Sequence, residues 1–239
     1  MGNLLDSVIE AHGGLARWRS VTDFVTDIDV RGTLCELSGR RGMVPQSRLL
    51  FSLRDQRGVI LLPNDGGRIM TDPDRISLFD SHGVELASQL RPRHTLLLKG
   101  VGAEWDVLQT AHFMATVIRQ IAAGPFLYSM PGFSTEELSP WIEGNEVWRA
   151  LKVSYPPDLE VPFRSQVAYY GKDGLLRRIR SNSEVQGGLN LVEDVTAYDQ
   201  SNGILVASSR EVFSCEPSGT RSSKGSLAQI QLMDYFFAD

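Results

Sequence analysis

From Asp23 onward the apolar residues of this chain recur at every second position, and that period constrains the fold more than any other feature. Phe24, Thr26, Ile28 and Val30 alternate with Val25, Asp27, Asp29 and Arg31, the pattern of a strand with one buried face. Comparable short runs follow at 33–39, 48–53, 58–62, 68–71, 75–79 and 83–87. Turn residues divide them, among them Arg40-Arg41-Gly42, Asn64-Asp65-Gly66-Gly67 and Asp72-Pro73-Asp74. The period returns after residue 146, with runs at 147–155, 165–170, 175–180, 185–188, 191–198, 204–213 and 226–235. Asn202-Gly203 is the clearest hairpin signal among them. Strands spaced this evenly predict antiparallel meanders.

Helical periodicity interrupts the strands in few places. At the start, Asn3 can cap a short helix carrying Leu5, Val8, Ile9 and His12, ended by Gly13-Gly14; a further turn carries Trp18. Residues 104–122 form the one long helix, with Val107, Ala111, Met114, Ile118 and Ile121 within a narrow arc, and Gly124-Pro125 stops it. An apolar loop, Phe126 to Phe133, follows. Ser134-Thr135-Glu136-Glu137 then reads as a capping box for a brief helix ending near Trp141. The two alternating halves need cover for their apolar faces, and the long helix is the available candidate. The expectation is therefore α+β: a curved antiparallel half-barrel of about ten or eleven strands wrapped around the 104–122 helix. Residues 1–239 read as a single domain with a helical insert at about 104–141.

Charge and composition exclude some functions. Basic residues number 24 against 29 acidic, a net charge of −5, with no Lys/Arg block, which argues against nucleic acid as a partner. Two cysteines, Cys35 and Cys215, lack metal spacing and are too few for a disulfide framework. No apolar run reaches the roughly 18 residues of a membrane span. The opening residues resemble neither a signal peptide nor, with Asp6 at its place, a myristoylation site. These features lead to the expectation of a cytoplasmic protein. No phosphate-binding loop, strand-linked glycine fingerprint or nucleophile elbow is present, and Gly100-Val101-Gly102 alone signifies nothing. The four histidines, at 12, 82, 94 and 112, share no ligand spacing, so neither a cofactor nor a metal is expected.

Helix, meander, long helix with an apolar loop and second meander is the order found in the bacterial lipoprotein-localisation carriers, the LolA/LolB-like half-barrels. His12-Gly13-Gly14-Leu15-Ala16-Arg17-Trp18 resembles the opening of a signal-less bacterial family of that fold. Trp105-Asp106, Pro125-Phe126, Pro131-Gly132-Phe133, Pro140-Trp141, Trp148, Gln166, Tyr169-Tyr170, Asp173 to Arg178 and Arg210 extend the likeness over most of the chain. Pro162-Phe163, Arg180-Ser181 and Ala207-Ser208 depart from that family's polar positions. The resemblance implies a sheet curled around helices and a cavity on its concave side.

Several side chains stand out against that frame. His112, at the border of the helix's apolar stripe, suits acid–base work, and Arg119 on the same flank suits an anionic group; alternatively the first packs and the second reaches water. Thr116 and Trp105 share that flank. Tyr169 and Tyr170 must face opposite sides of one strand, and Gln166 shares the side of Tyr170. Phe126, Tyr128, Met130 and Phe133 make the loop a candidate lid or contact patch, or simply core. A half-barrel cavity of this composition fits a lipophilic or aromatic small molecule. Two functions follow. One is a carrier, the work of the family that the chain resembles. The other, to which the sequence leans, is a cofactor-independent cyclase, isomerase or dehydratase acting on a hydrophobic biosynthetic intermediate, since the same fold hosts such an enzyme in violacein biosynthesis. In that reading His112, Arg119 and Tyr170 are catalytic, and Trp105, Thr116, Phe126, Tyr128, Met130, Phe133 and Gln166 bind substrate.

Overall fold

The computed structural model describes residues 3–32, 46–63, 66–99 and 103–239. The run at 33–39 with Cys35, the turn at 40–42, Asn64-Asp65 and Gly100 to Gly102 lie outside them. One sheet of thirteen strands contains β1 (Asp23–Arg31), β2 (Gln46–Ser52), β3 (Gly58–Leu61), β4 (Arg68–Thr71), β5 (Arg75–Phe79) and β6 (Glu85–Leu90). It continues with β7 (Ser134–Glu143), β8 (Glu146–Ser154), β9 (Ser165–Tyr170), β10 (Leu176–Ser183), β11 (Leu189–Ser201), β12 (Ile204–Ser214) and β13 (Ala228–Ala238). Neighbours run β6-β5-β4-β3-β2-β1-β13-β12-β11-β10-β9-β8-β7. Each half is thus a meander in sequence order. The halves join where β1 pairs antiparallel with β13, Phe24 opposite Phe237 and Ile28 opposite Leu232. The expected antiparallel half-barrel is present, with more strands than the ten or eleven read from the sequence.

This order suits a curved sheet. The sheet's two edges, β6 and β7, are consecutive in the chain, so the segment between them must cross the whole sheet. Laid flat, twelve strand spacings of about 4.8 Å would put the edges about 58 Å apart. The main crossing element is a helix of 17 residues, Val107–Ala123, which spans only about 25 Å. Curling the sheet shortens the crossing and leaves this helix inside the curve.

Among the described residues three shorter helices accompany it: α1 (Leu4–Ala11), α2 (Gly14–Ser20) and α3 (Pro92–Leu97), the long helix being α4. A capping box starts α4 at Val107 rather than at residue 104: the Asp106 carboxylate accepts from the Gln109 backbone at 2.9 Å, and the Gln109 side chain accepts in return at 3.1 Å. Leu108, Ala111, Ile118, Ile121 and Ala122 are buried, while Val107 and Met114 pack partly buried against the same core. The helix touches β3, β4 and β5 of the first meander and β12 of the second. Gly13 lies at φ +118°, and a Cβ there would collide with the Gly203 carbonyl, so the turn after α1 can sit directly on the β11–β12 hairpin.

Two local expectations are corrected, and one alternative is favoured. Residues 134–141 are strand, not helix: Ser134 pairs with Ser154, and Glu137 with Leu151, while the Glu137 carboxylate takes two hydrogen bonds from Arg149. Cross-strand pairing outweighs the capping signal, and Pro140 is tolerated because β7 is an edge. Residues 184–186 form a 3₁₀ turn rather than a strand. Phe126–Ser129 is also a 3₁₀ turn, with Phe126, Leu127 and Tyr128 in the core and Phe126 stacked 4.7 Å from Trp18. Of the readings open for that loop, these positions favour core, with Phe126, Leu127 and Tyr128 helping to fill the concave side.

Candidate functional site

The concave side is more completely filled than the sequence leads one to expect. Around α4 lie three small voids of about 30, 20 and 10 Å³. A groove of about 720 Å³ lies elsewhere, floored by Val25, Leu50, Val59 and Met70. Those residues belong to the outward alternation of β1 to β4, opposite to the core residues Phe24, Leu49, Ile60 and Ile69. The expected open apolar cavity is therefore occupied by the chain's own helices and the 3₁₀ turn.

His112, Thr116 and Arg119 occur at positions i, i+4 and i+7 of α4 and do meet, in the first void, together with Gln56, Arg57, Asp72 and Glu160. His112 Nε2 stands 3.6 Å from Glu160 Oε2, but the contact is not an ion pair at neutral pH. Burial, with help from the Arg93 guanidinium, lowers the imidazole pKa to about 4. Burial raises the Glu160 carboxyl, against the pull of Arg93 and Arg164. Glu160 Oε2 accepts no hydrogen bond. Thr116 donates its hydroxyl to the Phe113 carbonyl, one turn back on its own helix. Arg119 is 8 % exposed and its Nε has no hydrogen-bond partner. Burial lowers its pKa to about 10, with the Asp55 carboxylate opposing the drop, so it remains a cation at neutral pH.

Gln166 and Tyr170 both face the concave side, as their spacing on β9 predicts, while Tyr169 packs with Trp148 and Trp141 on the other face. They do not bond each other. Gln166 instead donates to the Tyr128 hydroxyl at 2.6 Å. Tyr128 also borders the third void, beside Tyr170, His12 and Arg210. Burial raises the phenol pKa of Tyr170 well above its ordinary value, so it stays protonated. Phe133 packs edge-on to Tyr155 at 5.1 Å, and Met130 is half-buried against the core. Trp105 lies apart, 5.1 Å from Phe113 in a small cluster with Leu96 and Val185. His12 is buried, donates from Nδ1 to the Val8 carbonyl at 2.8 Å, and has its pKa lowered by that burial.

Three residues of these voids escape a reading for motifs: Glu160, Glu193 and Arg210. Arg210 and Glu193 form a buried pair at 3.2 Å on the concave face, and Arg210 Nε is left unpartnered. A signal for them exists in the alternation. Arg210 shares its parity with Ile204, Val206 and Val212, and Glu193 with Leu191 and Val195, so both fall on an apolar face. Glu160 lies between strands and has no such signature. Among the described residues no group of three His, Cys, Asp or Glu side chains converges to hold a metal ion, and no helix is long and apolar enough to cross a membrane.

No family model matches the chain, and no curated protein does. Solved structures do resemble it over nearly its full length. A LolA-superfamily protein from Nitrosomonas europaea aligns with a TM-score of 0.52 at 11 % identity, covering 100 % of this chain and 95 % of that one. A DUF1329 protein from Desulfovibrio piger gives 0.51 at 10 % identity, covering 98 % and 91 %. A protein from Vibrio parahaemolyticus described as an outer-membrane lipoprotein-sorting domain gives 0.50 at 12 %, covering 98 % and 93 %. Two expectations are set aside on this account. The cyclase, isomerase or dehydratase expectation is corrected, since these structures bear names of lipoprotein sorting and not of such an enzyme. The cytoplasmic location gives way as well, because outer-membrane sorting is work of the cell envelope. By its thirteen-stranded open sheet and the helix inside it, the chain has the antiparallel half-barrel fold of the LolA superfamily.

Proposed function

We propose that this protein is a non-catalytic carrier that takes a lipophilic molecule between α4 and the concave face of the sheet. The observation that supports it is how α4 is held. Its Thr116 and Gln120 side chains turn their hydrogen bonds back onto the helix itself. Gln120 Oε1 and Arg119 Nε on the helix, and Arg210 Nε on β12, are buried without partners along the seam. Apolar contact, which is non-directional, therefore supplies the adhesion of the helix, and an acyl chain can supply the same contact in its place. Unpaired buried polar atoms add a cost to the closed arrangement. The names of the LolA-superfamily and lipoprotein-sorting relatives agree with this reading and favour an envelope setting for it. His112, Thr116, Tyr128, Gln166 and Tyr170 would then line the polar flank of the binding space, and Phe126, Met130 and Phe133 its apolar end, with Trp105 outside it.

The test uses diphenylhexatriene, a neutral lipophilic fluorophore, with native mass spectrometry of protein purified from its producing cells. Saturable one-to-one uptake of the fluorophore, displaced by hexadecanol, is expected. Absence of both saturable uptake and any co-purified lipid overturns the carrier reading.

A further inference from the structure

We infer that the lipophilic ligand carries an oxyanion headgroup, a fatty carboxylate, and that Arg119 of α4 receives it; this rests on the carrier reading above. A guanidinium 8 % exposed on a helix that covers an apolar interior is costly unless something pairs with it. Among the described residues, none does at close range, and the Asp55 carboxylate acts on it only from beyond 4.0 Å. Arg119 has no ion-pair partner within 4.0 Å and no hydrogen bond, whereas the other buried guanidiniums are each committed: Arg93 to Glu184 at 2.5 Å, Arg178 to Asp194 at 2.5 Å and Arg210 to Glu193 at 3.2 Å.

The surroundings favour an anion from outside over an internal partner. Arg119 faces a void of about 30 Å³, room for a small polar group such as a carboxylate oxygen. Most of the other polar groups around it are already engaged, Glu160 Oε2 excepted. Gln56 accepts from the Glu160 backbone at 2.6 Å, Thr71 donates to the Gly58 carbonyl, and Asp72 accepts from the Asp74 and Arg75 backbones. Glu160 lies in the field of Arg93 and Arg164 and against the neutral His112, so it is not free to serve Arg119. Arg57 adds a second cation to the lining. Leu108, Ala111, Ala115 and Ala122 lie beside Arg119 on α4 and pack in or against the core, so a chain attached to a headgroup at Arg119 meets apolar surroundings next to it. Arginine presents a planar fork of donors that matches a carboxylate, and hydrogen bonds of that charged kind are the strong ones.

The measurement compares palmitate with hexadecanol, equal in chain length, in displacing diphenylhexatriene from the wild type and from Arg119→Met, with Arg119→Lys as a further variant that keeps the charge without the fork. The wild type should favour palmitate at least about tenfold, the ratio should fall to about one in Arg119→Met, and Arg119→Lys should lie between. Equal displacement by the two compounds in the wild type, or a preference for palmitate that survives Arg119→Met, overturns the headgroup assignment while leaving the carrier reading standing. Failure of both compounds to displace the fluorophore overturns the carrier reading and this inference with it. Sodium acetate separates the chain-bearing anion from a free one. Saturable, Arg119-dependent binding of acetate as tight as that of palmitate assigns the site to small anions and refutes the lipid.

Discussion

His112 offers the sharpest test of the interior's electrostatics. Its imidazole titrates near 6.5 when exposed and at about 4 in the fold, chiefly because burial penalises the cation. The folded pKa is the lower one, so on acidification the unfolded chain takes the proton first. The stability that this group contributes is complete above about pH 6.5 and is lost as pH falls through that window to about 4. The gap between the two values corresponds to about 3 kcal/mol in full, of which about 2 kcal/mol is lost by pH 4.5. Glu160 works the other way: its raised carboxyl is protonated earlier in the fold, and the stability that this adds fades as pH rises above its folded value. Replacing His112 by Gln keeps Glu160 and removes only the imidazole. Urea unfolding followed by far-ultraviolet circular dichroism, for wild type and His112→Gln between pH 7 and pH 4.5, reads the difference directly. The wild type should lose about 2 kcal/mol relative to the variant over that range. Parallel pH profiles, or a wild type that gains on the variant toward acid, would refute the reasoning, the second outcome by showing a charged imidazole paired with Glu160.

Three further perturbations probe other parts of the structure. Arg210→Met strands the Glu193 carboxylate in the core and should cost about 3–5 kcal/mol, most of it recovered when Glu193→Leu is added; a double variant no more stable than Arg210→Met contradicts a buried pair. Phe126→Ala should cost about 3–5 kcal/mol by chemical denaturation, because the ring is fully buried against Trp18; a cost under about 1 kcal/mol would restore the lid reading. Asp106→Ala removes the cap of α4 and should cost about 1 kcal/mol, or about 2–4 °C in Tm; an unchanged thermal midpoint contradicts the capping box.

The alternation of Phe24 to Val30 and its many repetitions made antiparallel meanders legible from the amino acids alone, because a period of two is a local property of the chain. So were the long helix, the Asn202-Gly203 hairpin and the shared face of Gln166 and Tyr170. Local signals failed where partners distant in sequence decide. Ser134 to Glu137 carries the letters of a helix cap, yet becomes strand because β8 offers its backbone hydrogen bonds and Arg149 its charge. Tertiary structure alone also set the interior. Whether a half-barrel encloses an open pocket depends on the summed volume of Trp18, Phe126, Tyr128 and the α4 stripe within the curve, and curvature is a property of thirteen strands together rather than of any one. The same holds for Arg119. Its position on the flank of a helix is written in the chain, but the lack of a carboxylate within ion-pair distance of it is decided by which strands and turns fold against it.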